Sequence, residues 1–306
     1  MTFLKHRKFW LSLSAIAILA SILALSTWRL HIGIDFKGGQ LLEARFKESV
    51  DIEKVRETLS APEKEGKIPL TSVAATTANT FLLRSVVTEK TSIDNLRGFL
   101  SDKIGEWEEI RFEQVGPTVG TDLTRKAVWG VILASIGIVL YIAWAFRRVP
   151  PPTNSWQFGL TAILALLHDL IITAGAFAFL GHFLGYEVDS LFITALLTVM
   201  GFSVHDTIIV YDRIRENLLR DPSHPFEEIV HASLIQTITR SLNTSLTLVI
   251  VLLALLILGG STIKPFVSTL LIGVGVGTYS SIFVAAQLLV VWQSRNPSPR
   301  SGGEGE

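Results

Sequence analysis

The sequence predicts a polytopic α-helical membrane protein with six transmembrane helices and one small α+β extracytoplasmic domain between helices 1 and 2. Of its 306 residues, 49% are hydrophobic and only 18% are charged, and the mean hydropathy is +0.45. That composition lies outside the range of ordinary soluble domains. Six apolar stretches are long enough to cross a hydrocarbon core, which takes about 20 helical residues. Residues 29–126, between the first two stretches, are polar enough to form a separate domain.

These stretches define the six predicted spans. They run from Phe9 to Trp28, Ala127 to Phe146, Trp156 to Leu180, Leu191 to Tyr211, Leu242 to Gly259 and Pro265 to Trp292. The first begins like a secretory signal, but its apolar part is too long for one, which favours an uncleaved anchor. In the sixth, the small residues Gly273, Gly275 and Gly277 are typical of close helix packing.

Basic residues are distributed unequally between the two sides of the predicted spans. The termini and short loops of one side carry Lys5, Arg7, Lys8, Arg147, Arg148, Arg213, Arg215, Arg220, Arg240, Arg295 and Arg300, whereas the other side carries only Lys264. Cytoplasmic loops are enriched in Lys and Arg, so both termini are predicted to be cytoplasmic. The chain then divides into an N-terminus with helix 1 (1–28), a periplasmic α+β domain (29–126), helices 2–6 (127–292) and a disordered cytoplasmic tail (293–306).

Strand and helix patterns alternate within the predicted domain. Strand-like residues occur at 40–46, 79–87 and 108–115, and amphipathic helices at 51–60 and 92–104. The order β-α-β-α-β predicts a small sheet with helices on one face. Two glycine-rich segments, GIDFKGG (33–39) and VGPTVG (115–120), flank the domain and indicate turns with closely packed backbone.

One segment of the cytoplasmic side has a pattern of its own. Residues 212–240 extend the fourth span as a charged helix, break at DPSHP (221–225) and restart as an amphipathic helix. This second helix is predicted to lie on the membrane surface or against a neighbouring helix.

Composition and motifs disfavour several classes of function. The absence of cysteine removes disulfides, Cys-bound zinc and thiol chemistry. No stripe of basic and aromatic residues indicates nucleic-acid binding, and no nucleophile elbow indicates a hydrolase. We therefore predict a protein that is not an enzyme and that needs no cofactor.

Two carboxylates lie inside predicted spans, and each follows a histidine, in the pairs His168–Asp169 and His205–Asp206. Insertion of a carboxylate at a helix centre costs about 2.5–3.5 kcal/mol, so these residues are candidates for function. Counting from the predicted span ends places Asp169 about 20 Å and Asp206 about 9 Å from the cytoplasmic side. Pairs at different levels do not converge on one metal ion, and we predict no metal site.

The fifth span begins with polar residues near the predicted depth of Asp206. These are Arg240, Asn243 and Thr244, in TRSLNTSLT (239–247). Two interpretations of Arg240 stay open: its side chain extends to the membrane surface, or it turns inward and pairs with Asp206. In the second case, a carboxylate that exchanges an arginine for a proton forms the basis of a proton relay.

Five segments of the sequence occur together as a set. They are GIDFKGG (33–39), VGPTVG (115–120), HDLIITAG (168–175), HDTIIVYDRIREN (205–217) and RSLNTSLT (240–247). In this order, and over about residues 1–295, they closely resemble the SecF side of the SecD/SecF family of bacterial protein translocase subunits, within the resistance-nodulation-division superfamily.

The resemblance implies a fold, a location and partners. It implies a multi-pass protein of the inner membrane, surrounded by membrane lipid, that pairs with SecD in a twelve-span bundle beside the SecYEG channel, with YajC as a further partner. It also implies a role in late protein export, in which the external domain assists the unfolded polypeptide and the membrane part uses the proton motive force.

The resemblance also implies roles for individual residues. Asp206 matches the family's proton-binding carboxylate, Arg240 the arginine of the next span, and Asn243 and Thr244 the polar group after it. Asp35 matches the carboxylate of the first motif, with a structural role or one in coupling the domain to the span. The other motif residues at the membrane junctions are Gly38, Gly39, Gly116, Pro117 and Gly120.

One position departs from the family's pattern. The family usually has asparagine before the carboxylate of the fourth span, whereas this chain has His205. Histidine titrates and asparagine does not, so His205 tunes Asp206 or joins the relay, or it only replaces one polar packing residue by another. The coupling ion, proton or sodium, is likewise open.

A half-size small-molecule exporter of the resistance-nodulation-division type is the alternative function. Such exporters usually carry two large external domains and twelve spans in one chain. One domain and six spans favour the translocase subunit.

Overall fold

Six helices of the computed structural model are long and apolar enough to cross a membrane. The structure describes residues 6–48, 50–60, 70–77, 79–85, 93–147 and 149–295. Within them the spans are TM1 Arg7–Thr27, TM2 Pro117–Ala145, TM3 Ser155–Leu184, TM4 Ser190–Arg220, TM5 Phe226–Leu258 and TM6 Ser261–Ser294. The six predicted spans are confirmed. The predicted tail from 296 onward, Lys5, Arg148, Arg300 and the predicted strand end 86–87 lie outside the described residues.

TM6 changes its winding along its length. A 3₁₀ turn at Ser261–Ile263 leads into an α-helix at Lys264–Ser280, then a π-helical turn at Ser281–Ala285, and a final α-helix at Ala286–Arg295. Single π turns are rare within α-helices and are frequent at functional sites.

After TM1 the chain forms a compact α+β unit of residues 31–129, which includes the first part of TM2 and also residues 187–190. Its elements are α1 Ile34–Lys37, β1 Gly39–Phe46, α2 Ile52–Ser60, β2 Leu70–Thr77, β3 Thr80–Ser85, α3 Ile93–Lys103 and β4 Trp107–Val115. The strands form one antiparallel sheet in the order β2-β3-β1-β4. The predicted alternation is present with one further strand, β2, whose small residues lack the apolar alternation that identifies the others.

The core of this unit lies between one face of the sheet and the helices α2 and α3. Alternate residues of a β-strand point to the same face of the sheet. In β1 the residues on the buried face are Leu42, Ala44 and Phe46. They pack with Phe81 and Leu83 of β3, Val55 of α2, and Leu96 and Leu100 of α3.

Glycines allow membrane helices to approach each other closely. A Cβ atom on Gly273 of TM6 would lie 2.2 Å from Val199 Cγ2 of TM4, and one on Gly175 of TM3 would lie 2.3 Å from Ser21 Cβ of TM1. Gly277, one turn after Gly273, faces Ser203 of TM4. Gly273 and Gly277 therefore account for the predicted close packing of the sixth span, whereas the surroundings of Gly275 are open.

TM4 and TM5 form a charged helical hairpin where the sequence predicted one. TM4 ends at Arg220 and TM5 begins at Phe226, on either side of the predicted break. The Asn217 side-chain amide donates to Ser233 Oγ at 2.8 Å and to Gln236 Oε1 at 2.9 Å. The restarted segment is thus the beginning of TM5 and packs against its neighbour, which decides between the two predicted positions.

Candidate functional site: two buried carboxylates in the helix bundle

Asp206 is buried inside the bundle and is held by hydroxyl groups. Its side chain is 4% exposed. Ser241 Oγ of TM5 donates to Oδ1 at 2.6 Å, and Ser281 Oγ of TM6 donates to Oδ2 at 2.5 Å. Among the described residues, no Lys or Arg pairs with it. Two neutral donors therefore stabilise this carboxylate without cancelling its charge.

Asp169 of TM3 is the second buried carboxylate, and it is fully enclosed at 0% exposure. Ser203 Oγ of TM4 and Ser280 Oγ of TM6 donate to its Oδ2 at 2.5 and 2.6 Å. His168 Nδ1 lies 2.8 Å from the other oxygen. At TM3 the histidine that precedes the aspartate in sequence therefore also contacts its carboxylate.

The two carboxylates lie within one helical turn of each other along TM4, which corrects the predicted offset. Ser203, which binds Asp169, precedes Asp206 by three residues, a rise of about 4.5 Å. The prediction was wrong because it took the first charged residue, Asp212, as the end of the fourth span. TM4 continues to Arg220, so Asp206 lies 14 residues from its end, as Asp169 lies 14 residues from the start of TM3.

Adjacent serines of TM6 contact both carboxylates. Ser280 ends the α-helical part of TM6 and binds Asp169, whereas Ser281 begins the π turn and binds Asp206. The sequence analysis missed both, together with Ser203 and Ser241. The run TYSS (278–281) places four polar residues in succession within the sixth span, but it does not indicate which groups they contact.

The other proposed relay residues are not assembled around Asp206. The side chains of His205, Arg240, Asn243 and Thr244 are exposed. Thr244 Oγ1 donates to the Arg240 carbonyl at 3.0 Å, a contact within TM5. The inward ion pair of Arg240 with Asp206 is not formed in this chain, because Arg240 lies on the exposed face of TM5 whereas Asp206 is buried.

Asp35 of the first glycine-rich motif caps TM4 at the end opposite Arg220. Its Oδ2 accepts the backbone N–H of Ser190 at 2.9 Å and the Ser190 hydroxyl at 2.5 Å. The first N–H groups of a helix lack intrahelical partners, and a carboxylate there also offsets the positive end of the helix dipole. Asp35 therefore fixes the start of the helix that carries Asp206.

The two glycine-rich motifs pack against each other. Gly38 adopts φ +75° and Gly39 φ +149°, a backbone region that favours glycine. A Cβ on Gly38 would lie 3.0 Å from Pro117 Cα, and a Cβ on Gly120 would lie 2.9 Å from the Gly38 nitrogen. The predicted close backbone packing therefore involves these residues, whereas nothing lies near the Cβ position of Gly116.

An ion pair connects the segment before TM4 to β3 of the same unit. Arg84 Nε lies 2.9 Å from Glu187 Oε2, and both side chains are mostly buried. Burial raises the pKa of the Glu187 carboxyl, with Arg84 and Lys37 opposing the shift, and burial lowers the pKa of the Arg84 guanidinium. Because burial is the largest cause on both partners, this pair is a costly contact that positions the segment.

No cluster of three metal-ligating side chains occurs among the residues that the structure describes. The absence of a metal site stays a prediction, because the difference in level on which it was based is not present; the oxygens of each carboxylate contact hydroxyl or imidazole groups.

Comparison with known proteins relates this arrangement to protein export. A model of the C-terminal part of the protein export membrane proteins SecD/SecF matches residues 95–295. The protein translocase subunit SecF of Thermobaculum terrenum is 44% identical over 292 residues, which are 93% of this chain and 91% of that protein. The chain belongs to the SecD/SecF family. It is accordingly a multi-pass membrane protein of a family that serves protein export.

Two further SecD/SecF relatives are longer single chains. The translocase subunit SecDF of Bacillus subtilis is 36% identical over 298 residues, which are 96% of this chain but 38% of that protein. The crystal structure of SecDF from Thermus thermophilus, a translocon-associated membrane protein, superposes with a TM-score of 0.79 at 32% identity, covering 96% of this chain and 39% of that one. In these relatives the region similar to this chain is accompanied by a larger remainder.

Proposed function

We propose that this chain is the SecF subunit of a Sec protein translocase and that, with SecD, it uses the proton motive force to promote late steps of protein export across the cytoplasmic membrane. The observation that carries the proposal is Asp206, a carboxylate buried in a membrane helix that, within the described residues, is held by the hydroxyls of Ser241 and Ser281.

Among the described residues, Asp206 has no Lys or Arg partner. Binding of a proton therefore neutralises a buried charge that no cation offsets. A buried, unpaired carboxylate is costly, and a proton removes that cost. Serine hydroxyls donate to an ionised carboxylate and accept from a protonated one, so the site accommodates both forms. Helix arrangements that differ in access to Asp206 then change in population with its protonation.

A SecD partner accounts for the exposed polar face of TM4 and TM5. His205, Arg240 and Asn243 lie within membrane helices yet are exposed in the single chain. Polar and charged groups in a membrane face protein or water rather than lipid. We propose that the helices of SecD cover this face and that Arg240 meets a carboxylate there. The fused SecDF relatives support such a pairing.

The proposal also includes the orientation of the chain in the membrane and the role of its α+β unit. The basic residues of the termini and of the TM4–TM5 hairpin support a cytoplasmic position for both termini. The α+β unit is then periplasmic and acts on the unfolded polypeptide emerging from SecYEG, with YajC as a further partner. The hydrogen bond from Ser190 to Asp35 lies within this unit, at the first residue of TM4.

Replacement of Asp206 tests the proposal in cells that depend on this chain for export. We expect Asp206→Asn to abolish stimulated export of a secreted reporter while the chain still co-purifies with SecD. Asp212→Asn is the matched control, because Asp212 is an exposed carboxylate on the same helix that pairs with Arg215. Export at wild-type level with Asp206→Asn contradicts the proposal, and loss of co-purification would make Asp206 a structural residue.

A further inference from the structure

The adjacent hydroxyls of Ser280 and Ser281 connect two carboxylates that the proposed function treats separately. Ser280 Oγ lies 2.6 Å from Asp169 Oδ2, and Ser281 Oγ lies 2.5 Å from Asp206 Oδ2. All four side chains are buried, at 4% exposure or less. Successive residues of TM6 thus reach one carboxylate on TM3 and another on TM4.

Each of these hydroxyls has two possible acceptors. Ser280 Oγ also lies 3.1 Å from the Gly277 carbonyl, and Ser281 Oγ lies 3.0 Å from the Thr278 carbonyl, both in the preceding turn of TM6. A hydroxyl has one proton to donate. It therefore donates to the carboxylate when that group is ionised, or to its own helix when the carboxyl group is protonated and becomes the donor.

The surroundings of Asp169 favour proton exchange over a fixed ion pair. His168 Nδ1 contacts Asp169, but His168 Nε2 is buried without a hydrogen-bond partner in the described part of the chain. A protonated imidazole would leave Nε2–H as an unsatisfied buried donor, which is costly. The neutral imidazole with its hydrogen on Nδ1 avoids that unsatisfied donor, and in this form His168 donates to Asp169 without supplying a full counter-charge.

We propose that Asp169 is a second proton-binding carboxylate and that its protonation is coupled to that of Asp206 through Ser280 and Ser281. This inference rests on the proton-coupled function proposed above and deepens it. A proton that arrives on Asp169 Oδ2 converts the carboxylate to a carboxylic acid, which donates to Ser280 Oγ, and the Ser280 hydroxyl turns to the Gly277 carbonyl. The same exchange at Asp206 turns Ser281 to the Thr278 carbonyl.

Two effects couple the sites. Like charges in one buried cluster disfavour simultaneous ionisation, so the two groups titrate as a pair. The hydroxyls that change partner also lie at the junction of the α-helical and π-helical parts of TM6. The last residue of the π turn, Ala285, also contacts TM4, because the Tyr211 hydroxyl donates to its carbonyl at 3.1 Å.

Few other titratable groups face the pair among the described residues. His168 shares TM3 with Asp169, Tyr279 of TM6 stacks on His168 with ring centroids 6.3 Å apart, and Tyr211 lies on TM4. His205 and Arg240 lie on the exposed face. The phenols are neutral in the physiological range, which leaves the two carboxylates as the buried groups whose protonation the proposal concerns.

Infrared difference spectroscopy of the full chain with its SecD partner in lipid, recorded as a function of pH, tests the coupling. We expect two carboxylic acid bands that appear on acidification, one removed by Asp169→Asn and the other by Asp206→Asn. Removal of either carboxylate shifts the titration midpoint of the other. Ser280→Ala and Ser281→Ala, which keep both carboxylates, also shift the midpoints.

Ser135→Ala is the control, because the Ser135 hydroxyl donates only to the Val131 carbonyl of its own helix at 2.7 Å. It should leave both bands unchanged. An Asp169 band that does not titrate, or an Asp206 midpoint that is the same with and without Asp169 and Ser280, overturns the inference and leaves the proposed function intact. An Asp206 band that does not titrate overturns the proposed function. If Asp169→Asn fails to fold, Ser280→Ala decides the coupling.

Discussion

TM4 and TM5 present two polar faces that differ in burial and in chemistry. On the buried face, Asp206 accepts hydrogen bonds from the neutral hydroxyls of Ser241 on TM5 and Ser281 on TM6. On the exposed face lie His205, Arg240 and Asn243. Asp206 is thus enclosed within this chain, whereas Arg240, which directly precedes the Asp206 partner Ser241 on TM5, lies at the surface.

This difference separates two tasks that the sequence analysis had assigned to one cluster. Hydroxyl groups satisfy the hydrogen bonds of a carboxylate in either protonation state, which suits a group that gains and loses a proton. A permanently charged guanidinium suits recognition of a carboxylate on another chain. We infer that the buried face binds protons and that the exposed face engages the partner.

The largest effect that separates the two faces is expected from Arg240→Ala. If Arg240 serves the partner interface, the variant loses export as fully as Asp206→Asn, yet the thermal unfolding of the isolated chain in detergent is unchanged because Arg240 is exposed. Arg220→Ala, at the exposed end of TM4, is the control and should retain export. A destabilised Arg240→Ala chain would instead place Arg240 within the bundle.

Gly273→Ala should affect the buried face through packing alone. The added Cβ meets Val199 Cγ2 at 2.2 Å, which forces TM6 away from TM4 near the carboxylates. Overpacking of this kind costs roughly 1–3 kcal/mol, so we expect a lower unfolding temperature in detergent. Gly275→Ala, on the same helix with open space around it, should be neutral. Equal stability of the two variants would contradict the packing of TM6 on TM4.

Asp35→Ala should have a smaller effect, confined to the start of TM4, the helix that carries Asp206 and His205. Loss of a helix cap costs about 1 kcal/mol, and the carboxylate at Ser190 is of this type. Hydrogen exchange of the first amides of TM4 should therefore accelerate. Asp122→Ala removes an exposed ion pair with Lys126 and should leave exchange in TM4 unchanged. An unaltered TM4 with Asp35→Ala would exclude the cap.

His205→Asn is expected to have the smallest effect. His205 is adjacent to Asp206 in sequence but lies on the exposed face, so an asparagine at this position leaves the serine contacts of Asp206 in place. We expect the pH dependence of export to remain close to that of the wild type. A displaced pH profile would show that His205 titrates with Asp206 and would join the two faces into one relay.

Local patterns were sufficient to predict most of the fold. Hydropathy identified all six spans, and strand alternation identified β1, β3 and β4. Asp169 and Asp206 were recognisable because a carboxylate is rare in a span. β2 was missed because its residues are small, and the relative level of the two carboxylates was wrong because TM4 continues as a helix beyond its apolar part.

The serines that define the site could not be predicted from residue type. A serine in a membrane helix commonly donates to a carbonyl of its own preceding turn, as Ser135 does. Only the tertiary structure distinguishes it from Ser241 or Ser281, which reach another helix. Likewise, the exposure of Arg240 depends on the angular position of TM5, which its sequence pattern does not specify.

The central claim is that protonation of Asp206 couples the proton gradient to export. Membrane vesicles that contain the chain with its partner, loaded with an arrested export substrate, allow a pH difference to be imposed without other energy. We predict that the imposed gradient accelerates completion of export with the wild-type chain and with Asp212→Asn, but not with Asp206→Asn. Acceleration by the gradient in the Asp206→Asn vesicles would contradict the account.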